Sequence, residues 1–309
     1  MKRFLDCRAS DLADISKRDL LTALRASEGR IIVSETIGAV QPLLTTITNA
    51  EFAASQGADI LVLNLFDVNQ PLVNGLPKGT PAEDTIRVLK KLTGRIVGIN
   101  LEPVDANFAP QEEDEVWGGI TAGRLGTVTN AQKAAAMGAN FVILTGNPGN
   151  GVSNSAICHS LREISAAVGD KLVLIAGKMH AAGVLGEAAE NILTTEDIKQ
   201  FVTAGADIIL LPAPGTVPGI SAEYIRELVA YAHRLGVLTM TAIGTSQEGA
   251  DENTIRQIAL MCKMCGTDLH HIGDSGYVGM AIPENILAYS IAIRGRRHTY
   301  SRIAASINR

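Results

Sequence analysis

Short apolar runs rich in β-branched residues alternate along the chain with longer stretches of helical periodicity, and the alternation recurs eight times. The runs predict strands at residues 31–35, 59–65, 95–101, 140–144, 172–177, 207–211, 237–243 and 267–272, with a helix in each gap and one more at 18–26. Four joints share a template: Gln56-Gly57-Ala58-Asp59, Met137-Gly138-Ala139-Asn140, Ala204-Gly205-Ala206-Asp207 and Cys265-Gly266-Thr267-Asp268. In each, glycine closes a helix as a left-handed cap and a strand follows at once, as short αβ loops require. An open doubly wound sheet would alternate in the same way, but even spacing over eight units favours closure. The expected fold is an α/β protein, a (β/α)8 TIM barrel. It forms a single domain over 1–309 with an N-terminal helical extension at 1–29 and long loops at the carboxyl ends of its strands.

Loops after strands are longer and richer in Gly, Pro and Asn than loops before them, the asymmetry of a barrel whose site lies at the carboxyl-end face. The longest, 102–126, contains Glu112-Glu113-Asp114-Glu115 and Trp117-Gly118-Gly119 and reads equally as an active-site lid or as a solvated acidic loop.

Alternate residues of a barrel strand face the interior, and the others face an apolar helix layer. This rule turns Ile60, Val62 and Asn64 inward in the second strand and Asn100 and Glu102 inward in the third. In the fourth it directs Thr145 and Asn147 toward the axis. In the fifth, Val173 and Ile175 are assigned outward and Leu172, Leu174 and Ala176 inward, so that Lys178 emerges at the mouth with His180 behind it. Glu35 joins from the first strand and His271 from the eighth. The expected catalytic set is Lys178, Glu102, His180 and Glu35, with Asn64, Asn100, Thr145, Asn147 and His271 binding substrate. Any one of these could instead satisfy strand-end backbone groups.

Lys178 could serve as a fixed cation, a general acid/base or a Schiff-base nucleophile, and Glu102 and His180 suit proton transfer at a partly desolvated mouth. Gly244, Thr245 and Ser246 after the seventh strand, with Gly273, Ser275 and Gly276 after the eighth, are expected to offer backbone N–H groups to a phosphate. Tight turns are the alternative. No cofactor is required, although Mg2+ or another divalent ion held by Glu102 is open. His180, His270, His271 and Asp274 could form a metal site, but no His-x-His or His-Glu-x-x-His signature is present.

Composition narrows the field. Lys and Arg number 27 against 32 Asp and Glu, a formal charge of −5 that excludes a nucleic-acid binder needing a basic face. No apolar run suits a signal peptide or membrane span. The four cysteines are too scattered for a disulfide framework, so a cytoplasmic protein with reduced thiols is expected. The Cys262-Lys263-Met264-Cys265 motif closes a helix at the face opposite the mouth, where core and capping roles are expected. The basic tail around Arg294-Gly295-Arg296-Arg297-His298 and Arg302 is assigned to an acidic surface or a neighbouring subunit of a homo-oligomer.

The glycine-rich loops after strands seven and eight resemble those of phosphate-binding barrels. Within that group, Arg95-Ile96-Val97-Gly98-Ile99-Asn100, Gly138-Ala139-Asn140-Phe141-Val142 and Thr145-Gly146 are distantly similar to the photosystem I biogenesis protein BtpA-like family. The resemblance covers part of the chain, departs at Ser34-Glu35-Thr36-Ile37-Gly38 and carries no residue role; it implies a phosphorylated small-molecule ligand. Phosphoenolpyruvate mutase-like barrels fit poorly, because their acidic metal-binding pattern after strands three and four is not found. The expected activity is aldol-type C–C cleavage or proton-transfer isomerisation of a sugar phosphate or keto acid. A metal-assisted hydrolase and a non-catalytic regulatory or assembly barrel are the alternatives.

Overall fold

The eight expected strands form one closed parallel barrel in the order β1 to β8. In the computed structural model, which describes residues 2–108, 119–181, 184–274 and 278–309, they are β1 Ile31–Ile37, β2 Ile60–Asn64, β3 Ile96–Leu101, β4 Phe141–Leu144, β5 Val173–Gly177, β6 Ile208–Pro212, β7 Leu238–Ile243 and β8 Leu269–Ile272. The helices are α1 Ala9–Leu12, α2 Lys17–Arg25, α3 Asn49–Ser55, α4 Thr85–Thr93, α5 Val128–Ala136, α6 Asn154–Val168, α7 Thr195–Ala204, α8 Ala222–Arg234, α9 Glu252–Cys265 and α10 Pro283–Ala304. β1 closes the ring by pairing Val33 with Ile60 of β2 and with His271 of β8. Gly57, Gly138, Gly205 and Gly266 adopt φ between 87° and 110°, the left-handed conformation that the repeated joint demands.

Two apolar clusters follow from strand alternation. The larger lies between strands and helices and takes Leu61, Leu63, Val97, Ile99, Leu101, Val142 and Leu144. The smaller fills the barrel with Val33, Ile60, Val62, Ile96, Phe141 and Ile143. Gly98 of β3 makes room inside: a Cβ there would lie 2.5 Å from the Phe141 ring.

The amino-terminal end of the barrel is closed by α2, capped by the Ser16 hydroxyl, which accepts from the Asp19 N–H. Its buried stripe of Leu20, Ala23 and Leu24 packs with Phe4 against the interior cluster. Fully burying such leucines contributes about 1.5–3 kcal/mol each. The extension thus acts as a bottom plug and leaves the carboxyl ends to carry the site.

β5 reverses the expected phase. Val173 and Ile175 lie in the barrel interior, while Leu172, Leu174 and Ala176 face the helices. A parallel strand covered on both sides is apolar throughout, so its residues carry no alternation from which to choose a face.

All four cysteines are buried and free; Cys262 and Cys265 end α9, away from the mouth, and burial pushes their thiols up to about 12 and about 11. Among the described residues, no helix is long and apolar enough to cross a membrane.

Candidate active site

Inward-facing positions near the carboxyl ends divide the mouth in two. Strands β8, β1, β2 and β3 supply His271, Glu35, Asn64 and Asn100, whereas Ile143, Ile175, Leu210 and Ala242 line the side formed by β4 to β7. Met179 packs onto that apolar side. Glu35, Asn64, Asn100 and His271 therefore share one side of the mouth.

Hydrogen bonds link the polar half into a chain. Asn100 Nδ2 donates to Glu35 Oε1 at 2.5 Å and to Asn64 Oδ1 at 3.1 Å, and Asn64 Nδ2 donates to Asp274 Oδ2 at 2.7 Å. His271 Nε2 stands 3.7 Å from Glu35 Oε2. Asn64 Oδ1 also accepts from the Leu65 N–H at 2.9 Å. Leu65 holds a left-handed φ of 54°, a conformation costly for a branched side chain, immediately after the strand that presents Asn64. Asp274, read from sequence only as a candidate metal ligand, is thus part of the network.

Charge and burial set the protonation states. Glu35 is 4% exposed, and desolvation raises its pKa well above the ordinary carboxylate value, with the Asp274 and Glu248 charges adding to the rise and the Asn100 bond opposing it. Burial lowers His271 to about 4, so its imidazole is neutral at physiological pH. The Asn100 side-chain oxygen is buried and accepts no hydrogen bond from a described residue. His270, its neighbour in β8, faces the helices instead; its Nε2 meets the Gly29 carbonyl at 2.9 Å and its ring meets Tyr289 edge-on.

The remaining expected catalytic residues lie elsewhere or are engaged. Lys178 follows the helix-facing side of β5, is 1% exposed, and has its ammonium paired with Glu187 from the loop after the strand. Because β5 has the opposite phase, Met179 occupies the mouth that Lys178 was expected to enter. His180 lies beside Lys178; burial first, and then that ammonium, lowers its pKa. Glu102 faces Arg124, whose Nε donates to Oε1 at 2.9 Å. Burial raises the Glu102 pKa while Arg124 counteracts the rise.

Backbone bonds from Glu102 N to Arg124 O and from Gly126 N to Glu102 O, both 2.8 Å, pin the two ends of the 102–126 loop together. Glu102 and Arg124 accordingly act as a clamp. Residues 109–118 of the expected lid lie outside the described part. Arg124 was missed in the sequence because its partner is 22 positions away.

Thr145 is buried next to Ile143, as its phase predicts. Asn147 Oδ1 accepts the Gly149 N–H at 2.7 Å and caps a short turn. In the expected phosphate cup, the Gly244 N–H donates to Thr216 Oγ1 at 3.0 Å and the Gly273 N–H to the Ile243 carbonyl at 2.9 Å. Neither is available to an anion. A Cβ on Gly273 would lie 3.6 Å from Glu248 Oε1, so a buried carboxylate faces this segment. Thr245 and Ser246 are exposed at the rim with φ of 54° and 66°. Ser275 and Gly276 lie outside the described residues.

Among the described residues, no three carboxylate, histidine or cysteine side chains converge in a way that could hold a metal ion.

The fold has many solved counterparts. A protein from Burkholderia cenocepacia J2315, provisionally described as a lyase/mutase, is 17% identical over 85% of this chain and 82% of that one, with a TM-score of 0.52. A 2,3-dimethylmalate lyase, a member of the PEP mutase/isocitrate lyase superfamily, is 12% identical over 84% of this chain and 81% of that one, with a TM-score of 0.51. A thiamine phosphate pyrophosphorylase from Pyrococcus furiosus is 13% identical over 86% and 96%, with a TM-score of 0.47. At these identities the likeness is one of fold. The BtpA-like resemblance gains no support from these comparisons. No curated protein matches the chain. The model of the family described as "Domain of unknown function (DUF7916)" matches residues 5–309, and the chain belongs to that family.

Proposed function

We propose that the protein is a lyase or isomerase acting on a small carbonyl compound, a keto acid or sugar phosphate, with Glu35 as the group that takes and returns the proton. The observation that carries this reading is a buried carboxyl of raised pKa, held at one oxygen by Asn100 and flanked at the other by a neutral imidazole. A general base works best when its pKa approaches the working pH, and burial moves Glu35 in that direction.

In isomerisation of an α-hydroxy carbonyl compound, ionised Glu35 takes the proton of the hydroxyl-bearing carbon, and the C–H pair becomes the double bond of an enediolate as the carbonyl π pair moves to its oxygen. That oxygen then takes the proton of the neighbouring hydroxyl, and Glu35 returns its own proton to the former carbonyl carbon. In cleavage it takes the proton of a β-hydroxyl, the adjacent C–C bond breaks, and the enolate so released is reprotonated. The Asn100 N–H steadies the ionised form of Glu35. His271, neutral at working pH, can donate to a developing oxyanion without first losing a charge. The apolar half of the mouth suits the carbon skeleton, and the exposed hydroxyl of Ser246 at the rim suits a distal polar group. Two fold neighbours carry lyase descriptions, which agrees with this chemistry.

The test is proton exchange. The protein is incubated in D2O with a panel of keto acids and sugar phosphates, and deuterium incorporation is followed by NMR. Wild type should exchange at least one of them, and Glu35→Gln should slow that exchange by about 10^2-fold or more. Equal exchange by the variant, or no exchange with any carbonyl compound, rejects the proposal.

A further inference from the structure

The opposite end of the barrel holds an unbalanced positive charge. Arg95, Arg294 and Arg302 are each at most 7% exposed and surround a single fully buried carboxylate, Asp59. Asp59 Oδ2 pairs with Arg294, and Oδ1 lies 2.7 Å from Arg302 Nε. The basic tail that the sequence assigned to an acidic surface or a neighbouring subunit thus sends two of its arginines inward. Three guanidinium groups share one counter-charge in a desolvated setting, which is costly unless a further anion reaches them.

One of the three reaches a cavity. Arg95 Nε donates to the Ala58 carbonyl at 2.9 Å and Nη2 to the Arg302 carbonyl at 3.1 Å, leaving Nη1 without a hydrogen-bond partner among the described residues. Arg95 lines a cavity of about 630 Å³, shared with Arg87, Lys90, Lys91 and Arg309. Among the described residues Asp14 is the one carboxylate side chain in its wall, and Arg87 is paired with Asp84 at 2.7 Å. Lys90 Nζ reaches the Gly138 carbonyl at 3.2 Å, and Lys91 makes no ion pair or side-chain hydrogen bond among the described residues. The size is that of a small-molecule site, and the charge runs against the −5 of the whole chain. Burial and the neighbouring guanidiniums lower the Arg95 pKa to about 10, as expected for a cation lacking its counter-charge.

We propose that this cavity at the amino-terminal face is a second binding site, separate from the mouth, for a small multivalent anion bearing phosphate groups. Guanidinium and ammonium groups on several walls would grip separate oxygens, and the bound charge would complete the Asp59 cluster. The site lies at the end where Gly94 and Gly138 turn into β3 and β4, so a ligand there leaves Glu35 uncovered.

Calorimetric titration of the full chain with inorganic pyrophosphate tests this. Wild type should bind saturably with one dominant site, and rising ionic strength should weaken binding. Lys91→Glu should weaken it at least tenfold, and Lys91→Ala should weaken it to a lesser degree. Neither variant removes an internal hydrogen bond, so both should keep the wild-type melting temperature. The proposal is overturned by absence of saturable binding, or by binding of unchanged affinity in Lys91→Glu, since that would place the anion elsewhere.

Discussion

Asn100 donates its side-chain amide to Glu35 across the interval between β3 and β1, at 2.5 Å, with β2 lying between them. The bond can span two strands because Asn64 of β2, which separates them, accepts from the same amide nitrogen at 3.1 Å. Three consecutive strands therefore converge on one amide, and the position of Glu35 depends on side chains that come together only in the closed barrel.

Replacing Glu35 should oppose function to stability. A carboxyl whose folded pKa is raised stays protonated in the native state while the unfolded chain ionises near its ordinary value, so stability falls as pH rises through the interval between the two. Glu35→Gln removes that penalty. At pH 8 the variant should be more stable than wild type by about 1–3 kcal/mol, and the gain should vanish below the ordinary carboxylate pKa. Urea unfolding at a series of pH values measures it; a variant less stable than wild type at pH 8 would contradict the assigned burial cost.

The two histidines of β8 should make the protein acid-sensitive. Both His270 and His271 are lowered to about 4 by burial, against an ordinary value of 6.5. The unfolded chain then binds protons that the native state refuses, so stability is lost as pH falls from 6.5 toward 4. Each histidine should contribute on the order of 3 kcal/mol to the loss. NMR titration of the two imidazoles checks the premise directly, with an inflection near 6.5 for both as the contrary result.

Lys178 should resist Schiff-base trapping. Its ammonium is buried and ion-paired with Glu187, whereas an amine nucleophile must be neutral and within reach of a carbonyl. Borohydride reduction in the presence of pyruvate or dihydroxyacetone phosphate, followed by peptide mapping, should leave Lys178 unmodified. Glu187→Gln, which removes the charge facing the ammonium, should cost about 1–3 kcal/mol in a thermal melt, a range lowered because Glu187 is one-third exposed. Stoichiometric reduction at Lys178 would restore the nucleophilic role.

Legibility followed the placement of polar residues. β2 and β3 each end their apolar runs on an inward Asn, so one polar atom set the phase of the whole strand, and Asn64 and Asn100 could be placed in the mouth from spacing alone. Leu172 to Ala176 contain no such marker, and choosing the wrong face placed Lys178 in the mouth where Met179 stands. The amide hydrogens of Gly244 and Gly273 are consumed by Thr216 and Ile243, partners 28 and 30 positions away. Local glycine content cannot reveal that. Arg124 and Glu248 were overlooked for the same reason, since each meets its counterpart only through folding.

The ring of contacts from Asp274 through Asn64 and Asn100 to Glu35 and His271 joins the first three strands made on the ribosome to the last. Until β8 has emerged, Glu35 has neither its imidazole neighbour nor the carboxylate of Asp274. The network of the mouth is consequently a late acquisition in the life of each molecule: a chain stalled after β7 would carry most of the scaffold yet leave Glu35 and Asn64 without their partners from β8 and the loop after it.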